Sequence, residues 1–445
     1  MQEELLQFKI QKVWILVDLP SGKKAIGTKW VYRNKKDERG IIVRTKVRIV
    51  GQGYKQEEGI DYDEVFAPVA RVEAIMIFLA FASFMNFLVY QMDVTSAFLY
   101  GTIEEEVYVC QPPGFVDPKF IEKVYKVEKA LFGLHQAPRV WYETLSTYLL
   151  DNGFHRGQID KTLFIKRLKG DILLVQVYID DIIFGFTRKS LCTDFEQIMH
   201  KRFQMSSMGE LTFFLGLQVK RKDNGIFISQ DKYVGEILKK FRFSSIRTIS
   251  TPMETNKALA KDKEVKRIFR YLKGQPKLGL WYPKDSPLIL EDFSDSDCVG
   301  SSLDRKSTTR GFQFLGSRLI SWQCKKQTVV ANSTTKAEYI AASHYYGQNP
   351  VYHSKTKHIE IRHHFIRDSY KKRLIKMVKI HTDNNVADLL TKAFDVTRFQ
   401  FLIVRIDKKE LAIPGQTTTG KEFSNALMAD SLPKTILPTK VFEMT

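Results

Sequence analysis

Ile172-Leu173-Leu174-Val175-Gln176-Val177-Tyr178-Ile179, then Asp180-Asp181, then Ile182-Ile183-Phe184-Gly185-Phe186: two apolar runs close on a pair of aspartates. Runs of this length and β-branched content read as buried strands, which puts the acidic pair at a hairpin tip. Like charges backed by buried strands are costly unless a cation binds there. Upstream, Phe87-Leu88-Val89-Tyr90-Gln91-Met92 is another apolar run, and it ends in Asp93. Three carboxylates at the ends of buried strands are the donor set that a two-metal phosphoryl-transfer site needs. Taken alone, an Asp-Asp pair is also an ordinary solvated turn. The surrounding sequence decides between the two.

Tyr178-Ile179-Asp180-Asp181, together with Gln91-Met92-Asp93-Val94-Thr95-Ser96-Ala97-Phe98-Leu99-Tyr100-Gly101, resembles the reverse transcriptase of copia-type long-terminal-repeat retrotransposons. Ile60-Asp61-Tyr62-Asp63, Lys129-Ala130-Leu131-Phe132-Gly133-Leu134-His135-Gln136-Ala137-Pro138-Arg139 and Phe213-Phe214-Leu215-Gly216-Leu217 extend the resemblance. These stretches keep the family's order and nearly fill residues 12–255. The resemblance implies an α+β fold, with fingers and a palm built on an antiparallel sheet, and RNA-directed DNA polymerase activity. Asp93, Asp180 and Asp181 would be the catalytic residues and metal ligands. Asp93 and Asp180 would bridge two Mg2+ ions, for which Mn2+ can substitute, and Asp181 would be more peripheral. The partners implied are an RNA template, a DNA primer, the RNA-DNA hybrid and a dNTP, with other products of the polyprotein alongside. Lys46 and Arg48 would hold the triphosphate, Phe98 the sugar pocket and Gln136 the incoming nucleotide, while Phe214-Leu215-Gly216 corresponds to the primer grip. Read from the residues alone, Lys46 and Arg48 equally suit a charged edge strand, and Phe98 equally suits a core aromatic.

Bulk properties agree with a globular, nucleic-acid-binding chain. At 445 residues, 44% of them hydrophobic, two or three domains with their own cores are expected. The formal net charge of +19 points to a polyanion, since Lys and Arg that neutralise phosphates release condensed counterions. Charge alone also fits an anionic membrane surface. The four cysteines form no C-x-x-C pair, so neither a zinc knuckle nor a disulfide framework is visible. Met1-Gln2-Glu3-Glu4 lacks the features of a secretory signal. Export is not expected; a cytoplasmic location is, in a virus-like particle for an active element, or a nuclear one, Lys371-Lys372-Arg373 reading first as a solvated charge run and second as a weak nuclear signal. Ala74 to Tyr90 is apolar but contains Ser83 and Asn86 and leads to Asp93, so it reads as a buried helix running into a core strand rather than a membrane span.

Residues 1–11 are an N-terminal extension, and residues 12–65 read as short strands around a basic turn at Lys35-Lys36-Asp37-Glu38-Arg39-Gly40. That ribbon puts Lys46 and Arg48 on one face, two residues apart. After Ala137-Pro138, the spacing of Trp141, Leu145, Tyr148 and Leu149 predicts a helix ending before Gly153. From 256 to 286 the chain turns Lys-rich without steady periodicity and is read as a truncated connection or linker. In the resembling family a further helical stretch stands there.

Residues 287–395 resemble the ribonuclease H domain that follows reverse transcriptase in this family, an α/β domain here lacking an internal segment. Leu288–Asp295, Gly311–Leu315 and Leu319–Trp322 read as strands, and Ser333 as the cap of a helix lined by Ala337, Ile340, Ala341 and His344. The resemblance makes Asp295, Glu338 and Asp388 three of the four metal-binding acids. The fourth lies on a strand that the direct join of Gly347-Gln348 to Asn349-Pro350 leaves out, so loss of ribonuclease H activity and an unpaired sheet edge are expected. Arg310 stands in an expected turn where glycine is common. The cluster His353, His358, His363 and His364 reads as a basic surface strip, and residues 396–445 as a disordered tail. No gag, protease or integrase signature is present. The competing reading is a catalytically inactive, nucleic-acid-binding remnant of a decayed element; the intact aspartates favour catalysis and the two shortened segments favour the remnant.

Overall fold

Asp171–Tyr178 and Asp181–Phe186 pair antiparallel, from Leu173 opposite Phe186 to Tyr178 opposite Asp181, as two apolar runs of matched length must when both are buried. In the computed structural model, residues 1–36, 41–63, 65–69, 71–253, 261–275, 277–296, 305–347, 370–372, 375–390, 392–407 and 440–444 are described. The chain forms two units: Met1–Ala70, Tyr90–Gly157 and Lys161–Gly209 make the first, and Arg71–Val89, Gln158–Asp160 and Glu210–Thr445 the second. Both are mixed α+β with antiparallel strand pairs.

In the first unit the hairpin sits inside a six-stranded sheet, in the order Met205–Glu210, Leu88–Val94, Asp181–Phe186, Asp171–Tyr178, Leu163–Leu168, His155–Arg156. Helix Lys189–Arg202 packs on the hairpin strands, with the Phe195 ring 4.9 Å from that of Phe184. The helix read after Pro138 is present at Ala137–Asp151 and buries Trp141, Leu145 and Leu149. Thr28–Lys36 and Ile42–Gly51 form the basic ribbon, with Arg33 opposite Lys46 and Val31 opposite Arg48; the turn residues 37–40 lie outside the described residues. The N-terminal extension is a helix, Gln2–Ile10, anchored by the fully buried Phe8 in a core with Val13, Ile26 and Leu131.

In the second unit, helix Val72–Phe84 buries nine of its 13 residues, as the apolar run requires. Among the described residues no helix is long and apolar enough to cross a membrane. Phe213–Phe214 and Leu217–Lys222 form the expected hairpin, whose turn residues Leu215 and Gly216 have φ of +48° and +84°. Positive φ at both turn positions matches the strand twist of a two-residue hairpin.

Four expectations are corrected in this unit. The stretch read as linker is largely regular: Lys261–Gly274 is a helix, and Gly279–Pro283 is a strand paired with Gly225–Ser229. Phe269 packs on Phe241 and Phe243, while Arg267, Arg270 and Lys273 donate to the carbonyls of Thr251, Arg247 and Ile246. Cations that satisfy backbone carbonyls make a Lys-rich stretch an ordered one. The segment expected as a tail contains helix Val396–Asp407, with Leu402 fully buried, and strand Lys440–Met444; residues 408–439 lie outside the described residues. Arg310 is not in a turn but inside strand Thr308–Leu315.

The strands expected in residues 287–395 are present as Leu290–Ser296, Thr308–Leu315 and Arg318–Lys326, followed by helix Thr334–Gly347, where the Lys336 amide donates to the Ser333 hydroxyl at 3.2 Å. Lys440–Met444 pairs in parallel with Leu290–Ser296 on one side and Ile375–Lys379 on the other. The edge of Leu290–Ser296 expected to be open is therefore paired, and the sheet ends instead at Ile375–Lys379. The join at 348–349 and the histidines at 353–364 lie outside the described residues.

Candidate active site

The aspartate hairpin turns through only two residues, Ile179 and Asp180, between the paired Tyr178 and Asp181. Ile179 takes φ +56°, a conformation that a β-branched residue holds only under constraint. The constraint is visible: the buried indole of Trp141 donates to the Ile179 carbonyl at 2.7 Å. The Val94 amide in turn donates to the Asp180 carbonyl at 3.0 Å, which fastens the end of the Asp93 strand to the hairpin tip. Next along, the Thr95 amide donates to the Gln204 carbonyl at 2.8 Å. Asp93, Asp180 and Asp181 are thus held at neighbouring strand ends by backbone bonds.

All three carboxylates are half-buried. Burial raises the Asp180 carboxyl above its ordinary range and Asp93 raises it further, while Arg48 and Lys46 pull it down. Asp181 is pushed up to about 6, by burial first and then by Asp180 and Asp93. These are the marks of a desolvated anionic cluster that a cation would relieve.

Among the described residues no three His, Cys, Asp or Glu side chains gather closely enough to hold a metal by themselves. The expected trio is therefore not a ready-made cage. Magnesium, however, keeps several waters and is usually held by one or two carboxylates plus substrate phosphates. Carboxylate oxygens are the donors that Mg2+ and Mn2+ favour, so the residues present fit a metal that arrives with a phosphate-bearing substrate.

The other predicted residues fall into two groups. Lys46 and Arg48 lie on the ribbon strand Ile42–Gly51, near enough to Asp180 to lower its carboxyl, and the Arg48 guanidinium lies 4.2 Å from the centre of the Phe132 ring. Phe98 is half-buried and also packs on Phe132, with 4.7 Å between ring centroids. Arg48 and Phe98 thus share Phe132 as a platform. Gln136, by contrast, is fully buried. Its side chain accepts from Gln56 Nε2 at 3.1 Å and donates to the Asp61 carbonyl at 3.3 Å, while Gln56 Oε1 accepts the His135 amide at 2.9 Å. The amide expected to meet a nucleotide is occupied in pinning residues 56–61 to the start of helix Ala137–Asp151.

Two features were missed in the sequence. Trp141 read only as a core residue, because a bond to a carbonyl 38 positions away leaves no local trace. Gly51-Gln52-Gly53 is a backbone crossing: a Cβ on Gly53 would lie 1.9 Å from the Gly133 carbonyl oxygen. Glycine is required there because two main chains touch, and the contact ties the base of the ribbon to the loop carrying Phe132.

In the second unit, Asp295 on Leu290–Ser296 lies near enough to Glu338 on Thr334–Gly347 and to Asp388 in the short turn Val386–Leu390 to raise both carboxyls, without the three forming a metal cage. Burial and then Asp295 push Glu338 up to about 7, and burial pushes Asp388 up to about 6 against the pull of Lys392. The Glu338 carboxylate accepts the Ser296 amide at 3.0 Å.

Comparison with known proteins gives a consistent result. Residues 11–255 match the family described as "Reverse transcriptase (RNA-dependent DNA polymerase)". Relatives include the "Retrovirus-related Pol polyprotein from transposon RE1" of Arabidopsis thaliana, 31% identical over 468 residues, covering 87% of this chain and 32% of that protein. The corresponding polyprotein from transposon TNT 1-94 of Nicotiana tabacum is 30% identical over 489 residues, covering 90% of this chain and 37% of its own length. The chain thus spans about a third of the length of these relatives. A solved foamy viral protease-reverse transcriptase in complex with double-stranded DNA aligns with 93% of this chain and 70% of its own, at 12% identity and a TM-score of 0.40.

Proposed function

Since the chain belongs to the reverse transcriptase (RNA-dependent DNA polymerase) family, with copia-type Pol polyproteins as relatives over most of its length, we propose that its first unit carries out template-directed nucleotidyl transfer. A primer 3′-hydroxyl attacks the α-phosphorus of a dNTP, and pyrophosphate leaves. The observation that carries this reading is the Val94 to Asp180 backbone bond, which brings Asp93 to the Asp180-Asp181 tip. Asp93 and Asp180 are the residues that would hold two divalent metals, with Asp181 peripheral. Such metals supply activation of the attacking oxygen and neutralisation of the leaving group.

The chain's own part is placement and charge. Arg48 and Lys46 face the Asp180 side of the cluster and are suited to a triphosphate, the Arg48 fork being aimed by its stacking on Phe132. Phe98, braced by the same ring, walls the space where a sugar would lie, and an added 2′-hydroxyl would meet it. Gln136 acts as a positioning residue through Gln56 and residue 61 rather than by touching the nucleotide. An RNA template and a DNA primer are the partners proposed, with the chain's +19 charge supplying affinity for phosphates.

Ribonuclease H activity is not assigned to the second unit, because the family's fourth acid has no counterpart. Primer extension on an RNA template with magnesium tests the polymerase reading: the chain extends the primer and an Asp180→Asn variant does not. Equal background from both would leave the nucleic-acid-binding remnant as the reading.

A further inference from the structure

The ribonuclease H-like carboxylates of the second unit already have cations among them. Arg310 stands directly opposite Asp295 in the antiparallel pairing of Leu290–Ser296 with Thr308–Leu315. Its Nη1 lies 2.5 Å from Asp295 Oδ2, with the two side chains only 4% and 6% exposed, and 3.9 Å from Asp388 Oδ1. Lys392 approaches from the other side, 2.7 Å from Asp388 Oδ1 and 3.9 Å from Asp295 Oδ2. Two buried carboxylates thus share a buried guanidinium and, at the rim of the cluster, the partly exposed Lys392 ammonium.

We infer that Arg310, with Lys392, takes the place of the divalent metals in this unit, converting a metal-binding constellation into a built-in salt-bridge core. Three physical points support this. A guanidinium is a permanent charge at any accessible pH, so unlike a lysine it cannot step aside by losing its proton. Its hydrogen bond occupies Asp295 Oδ2, and a buried pair of this kind is costly to break because each partner is left uncompensated. A divalent ion entering beside Arg310 would also meet a fixed positive charge in a poorly screened site. The missing fourth acid reduces metal affinity; Arg310 goes further and makes the remaining acids structural. This holds independently of whether the first unit polymerises.

The test is Mn2+ titration of the full chain carrying Asp93→Asn, Asp180→Asn and Asp181→Asn, which removes the three carboxylates of the first unit's candidate active site. Free Mn2+ is followed by electron paramagnetic resonance and unfolding by thermal melt. With Arg310 present, adding Asp295→Asn changes Mn2+ binding by less than about twofold, and Mn2+ does not raise the melt of the second unit. Arg310→Gln removes the charge while keeping a donor toward Asp295. In that background, Mn2+ affinity rises by about tenfold or more and is lost again with Asp295→Asn. If Arg310→Gln is destabilised, Mn2+ restores its melt. The inference is overturned by Asp295-dependent Mn2+ binding with Arg310 in place, or by an Arg310→Gln chain that neither gains Mn2+ affinity nor melts higher with it.

Discussion

The indole N–H of Trp141 donates to the carbonyl oxygen of Ile179 at 2.7 Å and so holds the strained position of the aspartate hairpin, φ +56°, from beneath. Trp141 is itself packed by Tyr100 and Phe203, with ring centroids at 6.2 and 5.3 Å. A rigid donor on a buried helix therefore sets the backbone next to Asp180. The proposed nucleotidyl transfer would depend on such supports, since in phosphoryl transfer the protein does little covalent work.

Trp141→Phe keeps most of the ring packing and removes the donor. A buried carbonyl left without a partner costs about 1–3 kcal/mol, which appears as a lowered urea midpoint. Primer extension falls by roughly 10-fold or more in kcat, with little change in KM for the primer-template, because the loss is of placement rather than of binding. An unchanged kcat in a destabilised protein would show that the tip keeps its geometry without the bond. Ile179→Gly, which removes the steric objection to positive φ, should keep or raise stability by up to about 1 kcal/mol.

The pH dependence of the hairpin follows from Asp181, raised by burial to about 6 from an ordinary aspartate value. Between the unfolded value of about 4 and the folded value, the native state binds the proton more tightly than the unfolded chain does. Metal-free stability is therefore highest at the low end of that window, falls as pH rises through it and levels off above about pH 6. Glu338 and Asp388, raised to about 7 and about 6, act in the same direction in the second unit. Amide hydrogen exchange of residues 171–186 isolates the contribution of Asp181, and Asp181→Asn should flatten the slope there. A slope of the opposite sign would mean that Asp181 is stabilised as an anion.

How much was legible before the structure differs from residue to residue, for identifiable reasons. Asp93, Asp180 and Asp181 stand out because charge at the end of a buried strand violates the normal partition of residues, and that violation is local in sequence. Helix Lys261–Gly274 was hidden because its apolar positions, Val265, Ile268, Phe269, Tyr271 and Leu272, are interleaved with six lysines and arginines, of which Arg267, Arg270 and Lys273 find their partners in distant carbonyls. Arg310 was misplaced because its role depends on register with Asp295, and register is a property of two strands, not of one. Gln136 has the right position along the chain, but whether an amide faces a ligand or a second glutamine is decided by residues 80 positions away.

Gln56 and Gln136 should behave as one unit. Each makes a buried bond to the other and a second bond to backbone, so Gln56→Ala and Gln136→Ala each strand a polar group, at about 1–3 kcal/mol apiece. The double variant should cost less than the sum by about 0.5–3 kcal/mol, because removing both leaves fewer orphaned groups. In primer extension, both single variants should reduce kcat at saturating dNTP. An effect on dNTP KM that is large for Gln136→Ala and absent for Gln56→Ala would instead mean that Gln136 touches the nucleotide directly.

Arg318 offers the sharpest test of the second unit's interior. It is fully buried, and its Nη2 donates to the carbonyls of Pro283, Lys284 and Ser286 at 2.5, 3.0 and 3.0 Å, closing the loop between strands Gly279–Pro283 and Leu290–Ser296. Burial lowers its guanidinium to about 10, a direction that reflects how little water reaches it. Arg318→Met fills similar volume but leaves three carbonyls facing an apolar chain, so a loss of about 3–5 kcal/mol is expected. Arg318→Lys should recover only part of this, because a single ammonium at the end of a flexible stem cannot reproduce the planar fork. Urea unfolding of the two variants checks the order, and amide exchange at residues 284–288 should rise most in Arg318→Met. Equal stability of Arg318→Met and the parent would mean that solvent, not the guanidinium, satisfies those carbonyls.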